Sequence, residues 1–187
     1  MKSRRLDIED LVLIEPKRIG DDRGFFSEIF RDDWFRREVA DVALVQENHS
    51  LSRPAATIRG LHFQAPGHAQ GKLVRAARGS ILDVAVDVRH GSPTFGRHCA
   101  VELSAANGLQ LWVPVGFAHG FCTLEADSEV VYKVSDYYSK EDDRGLAFDD
   151  PALGIAWPCD LAEAILSDKD RRQPKLADLP PYFPFSP

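Results

Sequence analysis

Short apolar runs recur along nearly the whole chain, and Gly, Pro, Asn or Asp separates each run from the next. Turn signals spaced ~8–12 residues apart leave an antiparallel sandwich or barrel as the way to bury such runs. The runs predict strands at Leu11–Glu15, Phe25–Phe30, Val42–Ser50, Thr57–Phe63, Lys72–Ala77, Ile81–Val88, His98–Leu103, Gln110–Val113, Gly116–Leu124 and Glu129–Ser135. Ile81–Val88 alternates clearly, with Leu82, Val84, Val86 and Val88 on one face and Asp83 and Asp87 on the other. Helices are few. Asp32 or Asp33 can cap a short helix from Trp34 to Ala40, and a second short helix is expected over Asp160–Leu166. The ending LPPYFPFSP is too rich in proline for helix or central strand. It reads as an extended tail on the surface, or as a segment whose Tyr182, Phe183 and Phe185 cover another subunit.

The 187 residues fit one domain (1–187), with a core from about 5 to 175 and a proline-rich tail from 176 to 187. Apolar residues make up 44% and charged residues 28%, ordinary values for a globular chain. With 23 Lys and Arg against 29 Asp and Glu, the net charge is −6. That sign argues against general nucleic-acid binding, but a few local Arg and Lys can still hold a small anion. Cys99, Cys122 and Cys159 are odd in number, distant in sequence and without a CxxC pattern. Reduced thiols are expected rather than a disulfide framework or zinc ribbon. The N-terminus MKSRRLDIEDL lacks the apolar segment of a secretory signal, and no apolar run approaches ~18 residues. A cytoplasmic location without membrane contact follows as the simplest expectation.

Four stretches hold residues suited to chemistry. In Arg59-Gly60-Leu61-His62-Phe63-Gln64, period 2 places His62 on the face of Gly60 and Gln64, and Lys72 begins the next strand. A His and a Lys on one concave sheet can remove a proton and hold the resulting oxyanion. A hydrogen-bonded sheet histidine and a solvated lysine would give the same letters. Strict alternation puts Arg59 opposite His62, so both line one site only if Gly60 marks a bulge or bend. In Val130–Val134, Tyr132 shares the apolar face of Val130 and Val134, which points into a barrel. There a phenol can donate a proton or serve as a core tyrosine. In Leu166-Ser167-Asp168-Lys169-Asp170, an acidic residue folding back on His62 would fix its tautomer, although a charged surface turn fits as well.

The fourth stretch, Pro114-Val115-Gly116-Phe117-Ala118-His119, has the PxGxxH spacing of the second cupin motif. The fold expected from this resemblance is all-β: a cupin-like antiparallel jelly-roll barrel with a few short peripheral helices. In metal-binding cupins the first motif supplies HxH and a Glu. Here His62-Phe63-Gln64 stands at that place, and His49, His68, His90 and His98 have no ligand spacing. Zinc or iron needs three or four His, Cys or carboxylate ligands, so no metal is expected.

Taken in order, GDDRGFF (20–26), QENHS (46–50), RGLHFQ (59–64), GKLVR (71–75), SPTFG (92–96), LWVPVGFAHGF (111–121), VYKVSDYY (131–138) and LSDKD (166–170) resemble the dTDP-4-dehydrorhamnose 3,5-epimerase family. The resemblance implies an isomerase that converts dTDP-4-dehydro-6-deoxy-D-glucose to dTDP-4-dehydro-beta-L-rhamnose, in dTDP-L-rhamnose biosynthesis. Carbons 3 and 5 flank the 4-ketone, so loss of a proton from either gives an enolate, and no cofactor is needed. By the same resemblance His62 is the base, Asp170 its partner, Lys72 the enolate stabiliser and Tyr132 the acid on the opposite face. Arg23 and Arg59 match phosphate-facing positions, and Tyr138 matches an aromatic residue that stacks on thymine. Glu28, Gln46, Asn48, His119, Asp143 and Lys169 match other ligand contacts. The family resemblance also implies a homodimer, with the N-terminal segment of one subunit near the other's site. The competing readings are a single-carbon epimerase or a 3,4-ketoisomerase on the same sugar, a metal-dependent cupin, and a non-catalytic sugar-nucleotide binder.

Overall fold

The structure, a computed structural model, describes residues 1–185. In chain order its elements are β1 (Lys2–Arg5), β2 (Val12–Glu15), β3 (Arg18–Asp21), β4 (Gly24–Ser27), α1 (Asp32–Glu38), β5 (Gln46–Ser52), β6 (Ile58–Gln64), β7 (Lys72–Arg78) and β8 (Ser80–Asp87). They continue with β9 (Arg89–His90), β10 (His98–Ser104), β11 (Gln110–Val113), β12 (Phe117–Thr123), β13 (Ser128–Val134), β14 (Asp143–Gly145) and β15 (Phe183–Pro184). Single 3-10 turns lie at Asp170–Arg172 and Leu176–Asp178. Each predicted strand overlaps an observed one. The strands without a forecast are β1, β3, β9, β14 and β15, which are too short or too polar to show alternation.

Two antiparallel sheets face each other as a cupin-type jelly roll. Sheet I runs β1-β2-β11-β7-β13-β5, and sheet II runs β10-β8-β12-β6-β14. Alternation gives each strand one side chain row toward the space between the sheets. Leu13, Val74, Leu111, Val113 and Val130 from sheet I, with Leu11 just before β2, meet Ile81, Ala85, Leu103, Phe117 and Phe121 from sheet II. Tyr132 packs against this cluster, so its apolar row does point inward as expected.

Both outer faces are covered as well. Phe35 of α1, with Phe30 and Trp34 beside it, packs on Val12, Ile14, Leu73 and Trp112 of sheet I. On sheet II, the outward row of β8 is the valine row. Val84, Val86 and Val88 pack with Leu61, Phe63, Ala118, Leu146, Leu153 and Phe183. Asp83 and Asp87, fully buried, occupy the inward row instead. The apolar face of this strand therefore faces away from the barrel, because later chain segments return to cover it.

The local corrections have physical causes. The helix α1 begins at Asp32, with Arg31 as its N-cap residue and no side-chain cap. Asp33 instead accepts the N–H of Trp34 and pairs with Arg31. The forecast strand Phe25–Phe30 ends at Ser27 as half of the β3–β4 hairpin, and β5 starts at Gln46 rather than Val42. No helix forms over Asp160–Leu166. The backbone of Ile165 is used laterally, pairing in parallel with Thr57, accepting from the N–H of Ile58 and donating to the carbonyl of Ala56.

The C-terminal segment is extended and lies on its own chain, where β15 pairs in parallel with β9 and Phe183 is buried. Positions 186–187 of the expected tail lie outside the described residues. The three cysteines are free thiols, although the fold brings Cys122 and Cys159 to an Sγ–Sγ distance of 3.8 Å. Among the described residues no helix is long and apolar enough to cross a membrane.

Candidate active site

A cavity of about 490 Å³ opens between the sheets, lined by Arg59, His62, Lys72, His119, Tyr132, Lys169 and Asp170 among others. It continues into a smaller space of about 190 Å³, where Gln46, Asn48, Gln64, Tyr138 and Asp143 join His62, Lys72, Tyr132 and Lys169. Eleven of the thirteen sequence-predicted residues thus border one continuous cleft. Arg23 and Glu28 do not. The Arg23 side chain is 89% exposed and bound to Asp21 at the tip of the β3–β4 hairpin, and Glu28 is exposed just after it.

A bulge explains how Arg59 and His62 reach the same cleft. His62 is paired with His119 and Arg59 with Phe121, so β6 spends two residues, Gly60 and Leu61, where β12 spends Gly120 alone. Gly60 has φ +138, and a Cβ there would meet the Cα of Gly120 at 2.6 Å. A Cβ on Gly120 would in turn meet the carbonyl oxygen of Arg59 at 2.7 Å. The two backbones approach this closely only because both residues lack side chains.

His62 Nε2 lies 2.5 Å from a carboxylate oxygen of Asp170. Asp170 is buried in a 3-10 turn that the Ser167 hydroxyl helps to hold by accepting its N–H. Burial would raise the Asp170 pKa, but hydrogen bonds from His62, Ser167 and the Gly60 backbone outweigh it and keep the carboxyl below its usual range. The pair is thus a carboxylate oriented on an imidazole, an arrangement that fixes the ring.

Lys72 is buried at the start of β7 and donates to the carbonyl of His62 at 3.0 Å. Burial lowers its pKa to about 8, with Asp143 and Asp83 opposing the shift and Lys169 adding to it. Tyr132 stands two residues from the position opposite Lys72, on neighbouring β13. Burial raises its pKa, so the phenol keeps its proton at neutral pH, while Arg59 and Asn48 pull the other way.

A second cluster fills the smaller end of the cleft. Asp143 accepts from the Tyr138 hydroxyl at 3.0 Å and pairs with Lys169 Nζ at 2.5 Å. Tyr138 is 56% exposed, so its ring is open to a flat partner. Gln46 Oε1 accepts the backbone N–H of Tyr138, and its amide donates to Asn48. Arg59 donates to the Ser52 hydroxyl and the Leu51 carbonyl, which aims its guanidinium along the cleft wall.

Two residues that the sequence reading assigned no role also contribute. Asp83 places both carboxylate oxygens within 3.0 Å of His119 Nε2. Its signal was a charged residue in the alternating strand, but alternation alone does not say which of the two faces is the interior. Gln64 donates to the carbonyls of His68 and Tyr137 and accepts the N–H of Ser139, so it holds the Tyr138 loop. Its place on the face of His62 was readable.

The comparisons with known proteins bear on this geometry. A sequence model described as dTDP-4-dehydrorhamnose 3,5-epimerase matches residues 5–178. A dTDP-4-dehydrorhamnose 3,5-epimerase of Sinorhizobium fredii is 57% identical over 99% of this chain and 94% of its own length. The epimerase of Legionella pneumophila, solved in complex with dTDP-4-keto-L-rhamnose, superposes with a TM-score of 0.94 at 39% identity, over 100% of this chain and 99% of that one. That of Bacillus anthracis, solved with TDP and pyrophosphate bound, gives 0.90 at 46% identity, over 93% and 98%. With the sequence match spanning the barrel and every element that lines the cleft, the chain belongs to the dTDP-4-dehydrorhamnose 3,5-epimerase family.

Proposed function

We propose that this protein epimerises carbons 3 and 5 of dTDP-4-dehydro-6-deoxy-D-glucose, giving dTDP-4-dehydro-beta-L-rhamnose. The observation that carries the reading is the placement of His62 on sheet II and Tyr132 on sheet I, facing each other across one cavity. A sugar ring between the sheets presents one face to each. His62, held by Asp170, takes a proton from a carbon beside the ketone. The bond electrons move onto the ketone oxygen as an enolate, and the Lys72 ammonium stabilises that charge. Tyr132 then returns a proton from the opposite face, which inverts the centre. Repetition at the second carbon completes the conversion, and the ketone is regenerated with no net redox change.

The nucleotide end belongs in the smaller part of the cleft. Tyr138 offers an aromatic face for thymine, and Arg59 and Lys169 supply positive charge for the diphosphate. Gln46, Asn48, His119 and Asp143 complete the ligand-contacting set. Arg23 and Glu28 serve the site of a second subunit in this reading. The hairpin that carries them exposes Ile19, Phe25 and Phe26 at 58%, 61% and 70%, which favours docking on another copy. The protein is then a cytoplasmic homodimer that needs no added cofactor. Light scattering giving a monomer at micromolar concentration would remove the dimer.

Proton NMR with the substrate in deuterated water and a chelator tests the reaction. Deuterium at carbons 3 and 5, with the L-rhamno product, is expected. Exchange at one carbon would make the protein a single-carbon epimerase or ketoisomerase. Binding of dTDP without any exchange would reduce it to a binding protein.

A further inference from the structure

The C-terminal segment lies on the reverse side of the wall that carries the base. Phe63, between His62 and Gln64, points outward from β6 and meets two rings edge-on. The Tyr182 ring centroid is 5.6 Å away and that of Phe183 is 5.8 Å away. The backbone N–H of Phe185 donates to the carbonyl of His90 and fixes the far end of the segment.

Tyr182 also meets Arg144, whose guanidinium carbon lies 5.7 Å from the Tyr182 ring centroid. Its hydroxyl accepts a hydrogen bond from Nε of Arg144 at 3.1 Å. Arg144 Nη1 donates to the carbonyls of Glu141 and Asp143, at 2.8 and 3.0 Å. The guanidinium therefore ties the turn that delivers Asp143 into the cleft. Asp143 in turn holds the Tyr138 hydroxyl and Lys169, and its charge acts on Lys72.

We propose that the C-terminal segment is a clamp on the back of the site and that Tyr182 is a positioning residue, setting Asp143 through Arg144 for binding of the dTDP end. This rests on the assignment of the Asp143, Tyr138 and Lys169 cluster to the nucleotide. The ring and the hydroxyl of Tyr182 have separable jobs. The ring packs on Phe63 and lies beneath the Arg144 guanidinium, contacts that a phenylalanine keeps, whereas the hydroxyl alone accepts the Nε hydrogen bond that sets the orientation of Arg144.

Titration calorimetry with dTDP, steady-state kinetics and thermal melting of the full chain separate these jobs. Tyr182→Phe keeps the ring and removes the hydroxyl. Coupling through one hydrogen-bonded relay of this kind predicts a dTDP Kd about three- to tenfold weaker. The KM should rise by a matching factor, with kcat and Tm unchanged. Phe183→Leu, a packing change in the same segment, is expected to lower Tm and leave the dTDP Kd unaltered. Unchanged dTDP affinity in Tyr182→Phe would overturn the clamp, as would an equal loss of affinity in Phe183→Leu. Failure of the unaltered protein to bind dTDP would instead overturn the assignment of the nucleotide end.

Discussion

His62 and His119 stand directly opposite each other in the β6–β12 pairing, and each gives Nε2 to a different buried aspartate, Asp170 and Asp83. The two imidazoles are thereby held apart in function. Asp170 arrives from the C-terminal part of the chain and reaches His62 at the rim of the cleft. Asp83 comes from β8, in the barrel interior, and holds His119 against the inner wall. One histidine is mounted at the solvent end, where protons can be exchanged, and the other in the depth.

The facing arrangement of His62 and Tyr132 separates abstraction from reprotonation. His62→Ala is expected to lose both, with turnover falling about 10²–10⁴-fold. Tyr132→Phe should still wash deuterium into the substrate from the His62 face but stall inversion. Proton NMR in deuterated water reads both outcomes. Equal loss of exchange in the two variants would contradict the division of roles.

Lys72 gives a pH limit with a defined sign. Its pKa is lowered to about 8, so the ammonium that stabilises the enolate is lost as pH rises through that value. The kcat/KM profile should fall on the alkaline side near pH 8. Lys72→Arg, which stays charged, is expected to be slower but to lose that limb. A wild-type profile flat to pH 10 would exclude this role for the lysine.

The same burial opposes folding. Between pH 8 and 10.5 the unfolded chain holds a proton on Lys72 that the folded chain does not, so stability at this group rises with pH across that window. At pH 7 both states are charged and the folded one bears the full cost. Lys72→Met is therefore expected to inactivate the protein while stabilising it by about 1–3 kcal/mol at pH 7. That gain should shrink toward pH 10.5. Urea melts at the two pH values measure it.

Gly120→Ala tests the crossing of β6 and β12. Its Cβ would press on the Arg59 carbonyl and the Gly60 Cα, at 2.7 and 2.9 Å. Backbone must shift, at a cost of about 1–3 kcal/mol. Because the shift moves Arg59 and His62 together, both substrate affinity and turnover should drop. A variant with normal kinetics would show that the bulge is dispensable.

Cys122 should be chemically silent. Burial, with Cys159 beside it, pushes its thiol up to about 12, so almost no thiolate exists at pH 8. Iodoacetamide followed by mass spectrometry is expected to leave it unlabelled in the native protein and labelled after unfolding. Rapid native labelling would mean that the packing over β12 opens readily.

Much of the site could be read because period 2 is a strict rule. It placed His62 with Gln64 and Tyr132 with Val130, and it required a bend at Gly60 that the structure contains. What escaped depended on distant chain segments. Alternation separated the valine row of β8 from Asp83 and Asp87 but could not say which row faces the lumen, because Leu146, Leu153 and Phe183 return from far along the chain to cover the valines. Residues 160–166 had helical composition, yet the edge of β6 offered Ile165 a backbone partner that a helix would have forfeited. Arg23 and Glu28 carried the family's letters but lie at the tip of an exposed hairpin and just after it, outside the lining of their own cleft, a placement no local pattern encodes.

The covering of both outer faces has a consequence for how such a protein can change. Much of its cohesive apolar contact lies outside the lumen, between sheet I and α1 and between sheet II and the returning C-terminal chain. The lumen can then accept charged and polar side chains without forfeiting the whole of the hydrophobic support. Replacing the residues that face the ligand becomes a change of tooling inside a fixed housing, and new substrate preferences can arise there while the walls stay as they are.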